Sequence, residues 1–247
     1  MKLDYSVLDR FSFQRKPVGV KFTMRRLDGI KRVEKKINFC EMLKEAQESE
    51  PFYAGKEEFV CIEPMLLGLE DPHPIFVGGL IGEAEGLYEE ARANRAIYQY
   101  LPRMLRGSVR YVTFASVDKL SFDPDVMVFT TDNVGQAQTL LRAVSYRTGQ
   151  VWSSKTTPVA ACSWLYIYPV LTGNINYTVT GLSLGMQASK VFPEGLFLIS
   201  IPWQILPMVL ENLKVMEWGN PLVMPTRDES KERATRLFQR LKEEIGG

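Results

Sequence analysis

The residues best suited to chemistry are three cysteines, Cys40, Cys61 and Cys162. A thiolate is both a nucleophile and a ligand for soft metals. Three thiolates could therefore hold a soft metal ion or an iron–sulfur cluster with an open coordination position. The spacings are long, however, and no Cys-x-x-Cys pair is present. Only folding could bring the three together, and spacing alone favours three separate buried thiols.

Cys40 lies where a helix is predicted to begin. Asn38 is a suitable N-cap, and Glu41, three residues later, completes a capping-box pattern. In the first helical turn, unpaired backbone N–H groups and the helix dipole favour a thiolate. Cys40 could thus be a nucleophile or a metal ligand. The alternative is a small apolar side chain on the buried helix face.

Cys162 opens a central stretch that is rich in aromatic residues and then in Gly and Asn. Residues 162–168 are typical of a strand, and Thr172-Gly173-Asn174 is typical of a turn. The amides of Asn174 and Asn176 could contact a polar or anionic ligand, which adds these two residues to the three cysteines as candidate ligand-binding residues. The alternative is ordinary turns, because no phosphate-binding fingerprint is present.

Charge argues against nucleic acid as a partner. Residues 15–36 hold nine Lys or Arg residues against two acidic residues, while the whole chain has a net charge of +1. Such a run is usually a solvated strand face, and few aromatic residues interrupt it. Asp28-Gly29 within it predicts a hairpin turn, followed by an edge strand or loop over residues 30–36.

The sequence also predicts a cytoplasmic protein with reduced thiols. No apolar signal segment follows Met1, and the longest apolar run, residues 196–210, is interrupted by proline and too short to span a membrane. The single histidine, His73, excludes a multi-histidine metal cage. It could act as a general base, although a loop histidine without a role is the favoured interpretation.

Periodicity predicts an α/β (or α+β) fold in a single domain over residues 1–247, with a mixed, mostly buried sheet covered by helices. Residues 226–247 are predicted to form an amphipathic helix that packs on this domain and could mediate a homo-oligomer. The predicted strands lie near residues 18–24, 109–115, 125–130, 162–168, 177–184 and 196–200. The predicted helices lie near residues 38–48, 84–100, 133–147, 203–216 and 227–245.

A series of short motifs resembles the uncharacterised ArCR family, a domain-of-unknown-function family of bacteria and archaea. The motifs, in chain order, are Pro17-Val18-Gly19-Val20-Lys21-Phe22, Phe39-Cys40-Glu41, Cys61 with Leu67-Gly68-Leu69, Asp123-Pro124-Asp125-Val126, and Cys162 with Tyr168-Pro169 and Thr172-Gly173-Asn174-Ile175-Asn176. The resemblance covers residues 15–215. It implies a common scaffold, cysteines at family positions and a common ligand, but no reaction. The arginine that the family has after the Gly-rich segment is missing from residues 185–190.

Three hypotheses about function follow. The first is a protein that binds a small ligand or a metal-containing cofactor through a cysteine-lined pocket. The second is a thiol- or metal-dependent enzyme, with redox chemistry at the same cysteines. The third is a structural or partner-binding module that uses the basic segment or the C-terminal helix.

Overall fold

The computed structural model describes residues 3–218 and 226–245, and its seven strands form one sheet. The strand order is β2-β3-β4-β1-β5-β7-β6. Strands β2 and β3 pair in parallel and the other neighbours pair antiparallel, which confirms the predicted mixed sheet. The strands are β1 (Val18–Thr23), β2 (Lys31–Arg32), β3 (Phe52–Ala54), β4 (Tyr111–Ser116), β5 (Val126–Thr131), β6 (Asn176–Val179) and β7 (Phe197–Pro202).

Helices within residues 3–216 lie against this sheet, as the predicted α/β fold requires. The α-helices are α1 (Phe39–Glu48), α2 (Glu63–Leu66), α3 (Pro74–Val77), α4 (Leu80–Ala84), α5 (Ala91–Gln99), α6 (Val134–Ser145), α7 (Tyr168–Thr172), α8 (Leu184–Ser189), α9 (Leu206–Val215) and α10 (Arg227–Ile245). Short 3₁₀ helices span Ser6–Phe11, Lys56–Glu58 and Val117–Lys119, and a π-helix spans Ser163–Ile167.

Each face of the sheet is covered by different helices. Along β5, Val126 and Val128 belong to the core that also contains residues of α1 and of the π-helix. Side chains alternate along a strand, so Met127 and Phe129 point to the opposite face, where α6 and α9 pack. Because β5 is covered on both faces, all six of its residues are buried, which explains why its sequence is a nearly continuous apolar run.

The prediction of a strand over residues 162–168 is wrong. These residues form the π-helix, which continues directly into α7. Their aromatic and β-branched composition favours a strand, but every residue of the π-helix is buried, so tertiary packing and not local preference decides its conformation. The predicted strand over residues 177–184 is also too long, because the chain turns at Gly181, which has a φ of 97°.

Two other boundaries differ from the prediction. The predicted helix over residues 84–100 forms only in its second part, as α5; residues 85–90 are turns and bends, and Gly86 there has a left-handed φ of 64°. The Asp28-Gly29 hairpin does not form, since both edges of β1 are occupied by β4 and β5. Strand β2 instead pairs with β3 at the edge of the sheet.

The chain divides into two compact units, Met1–Met216 and Glu217–Gly247. In the second unit, α10 begins with a capping box. The backbone N–H of Glu229 donates to Thr226 Oγ1, and the backbone N–H of Thr226 donates to Glu229 Oε2. The packing of α10 on the first unit and its role in an oligomer stay predictions. Across the described ranges, no helix is both long and apolar enough to span a lipid bilayer.

Candidate functional site

The three cysteines, far apart in sequence, line one pocket of about 1020 Å³. The Sγ atoms of Cys40 and Cys162 are 3.2 Å apart, so the two thiols are in direct contact. All three are free thiols; Cys162 is buried, whereas Cys40 and Cys61 are partly exposed. The structure therefore brings together the cysteines that the sequence singled out.

Cys40 is positioned by the first turn of α1. The side chain of Asn38 accepts a hydrogen bond from the backbone N–H of Glu41 at 2.9 Å, and the Glu41 carboxylate accepts one from the backbone N–H of Asn38 at 2.8 Å. This is the predicted capping box. Cys40 is the second residue of the ten-residue helix, where the backbone N–H groups have no partner within the helix.

Cys61 is held beside the same helix start by a short backbone bridge. Ile37 and Phe59 form an isolated parallel bridge, in which the N–H of Ile37 donates to the carbonyl of Glu58 at 2.9 Å. Cys61 follows two residues after Phe59, and α2 begins two residues later at Glu63. The bridge thus fixes both Cys61 and Glu63 relative to Cys40.

Cys162 reaches the pocket from an unusual segment of backbone. Ala160, two residues earlier, has a φ of 51°, a left-handed conformation that residues other than glycine seldom adopt. The π-helix begins one residue after Cys162. Single turns of π-helix and strained residues are both frequent at functional sites.

Aromatic packing beneath the thiols joins the three segments. The ring of Phe39 lies 4.2 Å from that of Tyr166, 5.7 Å from that of Phe59 and 5.6 Å from that of Phe114, measured between centroids. Phe39 precedes Cys40, Phe59 lies just before Cys61, and Tyr166 follows Cys162 by four residues. One buried cluster therefore sets the relative positions of all three cysteines.

A buried carboxyl group lies among the thiols. Glu63 lines the pocket, is 5% exposed, and its Oε2 atom has no hydrogen-bond partner within the described residues. Burial raises the pKa of Glu63, and hydrogen bonding to Cys61 and Cys162 only partly opposes that effect. The carboxyl group is consequently disposed to hold or exchange a proton next to two sulfur atoms.

The neighbouring groups also favour their neutral forms. Contact with Cys40, together with burial, raises the pKa of the Cys162 thiol. Burial, with the nearby Glu63 as a smaller cause, raises the pKa of the Cys61 thiol. Burial likewise raises the pKa of Tyr166, whose hydroxyl has no hydrogen-bond partner in the ranges described. The centre of the site is thus a low-dielectric region in which ionised groups are disfavoured.

The rest of the pocket wall is mostly apolar. Besides the thiols and Glu63 it includes one further acidic residue, Glu85, and the backbone and side chains of α8. No lysine, arginine or histidine of the described chain lines it. The apolar lining residues are Phe39, Val60, Ile62, Phe76, Ile81, Val159, Ala160, Ala161, Leu184, Met186 and Ala188.

The two asparagines that the sequence proposed as ligand-binding residues do not line this pocket. Asn174 is exposed on the turn after α7. Asn176 is fully buried, and its side chain donates to the carbonyls of Lys155 at 2.8 Å and Trp164 at 2.9 Å. Asn176 therefore fixes the π-helix behind Cys162, and its amide is already hydrogen-bonded.

Sequence reasoning missed Glu63 and Tyr166. Glu63 carried one signal, since it is a charged residue beside the apolar segment Val60-Cys61-Ile62. Tyr166 carried no such signal, because residues 162–168 were interpreted as a strand. Residues 162 and 166 lie on the same face in a strand as well as in a helix, so their spacing did not single out the tyrosine. His73, in contrast, caps α3 through its own ring and lies outside the pocket.

The arrangement provides thiol chemistry more directly than metal chemistry. Among the residues described, no group of three or more His, Cys, Asp or Glu side chains has the arrangement of a metal site. Two thiols in contact can form a disulfide, and the third thiol and the carboxyl group can contact whatever enters the pocket. A soft metal would require the side chains to rearrange around it.

Comparison with known proteins identifies the family. The chain matches the uncharacterised ArCR family, domain of unknown function DUF169, over residues 8–212, and it belongs to this family. The match includes Cys40, Cys61 and Cys162, and it confirms the resemblance seen in the sequence motifs. No curated protein and no solved structure matches the chain.

Proposed function

We propose that this member of the ArCR family binds a small ligand in its cysteine-lined pocket. The observation that carries the proposal is the convergence of Cys40, Cys61 and Cys162 on one cavity, with two of the sulfur atoms 3.2 Å apart. Structural cysteines that serve only as small apolar side chains have no reason to meet at a cavity.

The size and lining of the pocket support a small molecule as the ligand. A volume of about 1020 Å³ is close to the upper end of small-molecule sites, and a mainly apolar wall with a few convergent polar groups is typical of them. Because the described wall contains two acidic residues, Glu63 and Glu85, and no basic residue, a neutral or cationic ligand fits better than an anionic one.

A metal-containing cofactor is the weaker form of the same proposal. Thiolates are the ligands that soft metals prefer, and an open position could face the pocket. The present side-chain arrangement does not match a metal site in the described chain, however. A metal would also have to displace the protons of thiols whose pKa values are raised.

A thiol-dependent redox enzyme is a second candidate for the same site. The observation that favours it is the contact between Cys40 and Cys162, because a binding site does not need two sulfur atoms at 3.2 Å. Disulfide formation does need this proximity. Turnover would distinguish the enzyme from a protein that only binds.

Phenylarsine oxide tests the binding proposal, because it combines an apolar ring with an arsenic atom that condenses with two thiols and releases water. We expect the reduced protein to bind it at a ratio of one per chain. The Cys40→Ser and Cys162→Ser variants should bind at least about 100-fold more weakly, since each lacks one thiol of the contacting pair, and that second thiol supplies the effective concentration. Isothermal titration under anaerobic conditions measures both quantities.

Asn174→Ala is the matched control, because Asn174 is exposed and lies outside the pocket wall. It should retain the affinity of the wild-type protein. Wild-type affinity no higher than that of the Cys40→Ser and Cys162→Ser variants would refute the binding proposal. A loss of affinity in Asn174→Ala would instead restore the ligand-binding role that the sequence predicted for this residue.

A further inference from the structure

We propose that Cys40 and Cys162 form a reversible dithiol–disulfide couple that reduces a small, neutral disulfide bound in the pocket. The inference rests on the proposed function in one respect, since the disulfide would occupy the cysteine-lined pocket. It adds a substrate class, a reaction and a separate role for each of the two thiols.

The surroundings of the two sulfur atoms assign their order of reaction. Cys40 is partly exposed, lines the pocket and lies in the first turn of α1. Cys162 is 5% exposed and in contact with Cys40. Cys40 is therefore placed to attack a bound molecule, and Cys162 is placed to attack Cys40.

The reaction balances without any further oxidant. The Cys40 thiolate attacks one sulfur of a disulfide RS–SR, which forms a Cys40–SR mixed disulfide and releases RS⁻. Cys162 Sγ then attacks Cys40 Sγ, which breaks the bond to SR and releases a second RS⁻. The two protons of the cysteine thiols end on the two products, so that RSSR is reduced to two RSH and the protein is oxidised to a Cys40–Cys162 disulfide.

Glu63 is the group placed to move the proton of Cys162. Its carboxyl group is buried beside Cys61 and Cys162, and Oε2 is without a partner in the described residues. Since burial raises the pKa of this carboxyl group, its ionised form is a stronger base than an ordinary glutamate. It can accept the proton as the Cys162 sulfur attacks, and return it to the departing thiolate.

The absence of cations in the described wall gives the substrate its charge preference. Glu85 would repel an anionic disulfide, and the apolar wall with the buried carboxyl group of Glu63 favours a compact neutral one. The test therefore compares bis(2-hydroxyethyl) disulfide, which is neutral, with dithiodiglycolate, which is anionic and of similar size. We expect the neutral compound to oxidise the reduced protein at least about tenfold faster.

Thiol release and peptide mass spectrometry report the mechanism. With the neutral disulfide, the wild-type chain should release two thiols and acquire a Cys40–Cys162 cross-link. Cys162→Ser and Cys162→Ala should each release one thiol and retain a stable adduct on Cys40. The serine and alanine variants are both examined by circular dichroism. If both are folded, the stable adduct results from loss of the Cys162 thiol and not from a folding defect. A cross-link between Cys61 and either partner, or an adduct on Cys61 in place of Cys40, would overturn the assignment.

Phenylarsine oxide binding by the same preparation separates this inference from the proposed function. A protein that binds the arsenical but reacts with the disulfide no faster than a free thiol would end the redox inference and leave the binding proposal standing. A protein that reacts through Cys40 and Cys162 but does not bind the arsenical would refute the binding proposal and leave the redox inference standing.

Discussion

Replacing Phe39 by alanine is expected to lower the free energy of unfolding by about 3–5 kcal/mol. The side chain is fully buried, and its ring contacts those of Tyr166, Phe59 and Phe114. Removing it leaves a cavity at the junction of the three segments that carry the cysteines, and the loss of aromatic pairs adds to the cost of the cavity. Urea denaturation, followed by circular dichroism, measures the change.

Tyr100→Ala provides the control for this substitution. Tyr100 is 74% exposed, so removing its ring should change stability by no more than about 0.5 kcal/mol. A Phe39→Ala variant as stable as Tyr100→Ala would mean that the aromatic cluster does not hold the cysteine segments together. If the variant folds, its thiols should also lose their contact, and its affinity for phenylarsine oxide should fall.

Glu63→Gln is expected to make the stability of the protein less dependent on pH. Burial raises the pKa of Glu63 in the folded protein above the ordinary value of 4.5. Between 4.5 and the folded-state pKa, the unfolded chain is ionised while the folded chain still holds the proton. Each pH unit of that interval therefore reduces stability by about 1.4 kcal/mol as the pH rises. Because a glutamine side chain does not ionise, this decrease of stability with rising pH should be absent from the variant.

The measurement is a set of urea midpoints on both sides of pH 4.5. Below that value the variant and the wild-type protein should have similar stability, because neutral Glu and Gln have nearly the same shape. Above it, the variant should become the more stable protein. Glu34→Gln, which removes the same charge from an exposed position, should keep the wild-type slope. Equal slopes in Glu63→Gln and wild type would show that the Glu63 carboxyl group is ionised in the folded state.

Those features of the site that depend on residues close together in the sequence could be predicted without a structure. The capping box of Asn38 and Glu41 is a local pattern, so the helix start at Cys40 could be identified without a structure. The buried strand β5 was equally clear from its apolar run. Both features need only residues within a few positions of one another.

The remaining features depend on contacts between distant segments. The residues after Cys162 have the composition of a strand, and only their burial against Phe39 and neighbouring groups makes a π-helix the better conformation. The contact between Cys40 and Cys162 spans 122 positions, and no periodicity encodes it. Glu63 gained significance only once the fold had placed its carboxyl group between thiols. The ligand-binding role of Asn176 stays a prediction, although its side-chain amide donates to backbone carbonyls behind Cys162, a contact that the sequence does not indicate.

The pairing of Cys40 with Cys162 at the pocket is tested most directly by alkylation of the native, reduced protein with iodoacetamide, with and without one equivalent of phenylarsine oxide, followed by peptide mass spectrometry. We expect the arsenical to protect Cys40 and Cys162 together, to the same extent and at the same concentration. The contradicting result is independent alkylation of Cys40 and Cys162, at rates that are the same with and without the arsenical. That result would refute the pairing of the two thiols and the cysteine-lined binding site that depends on it.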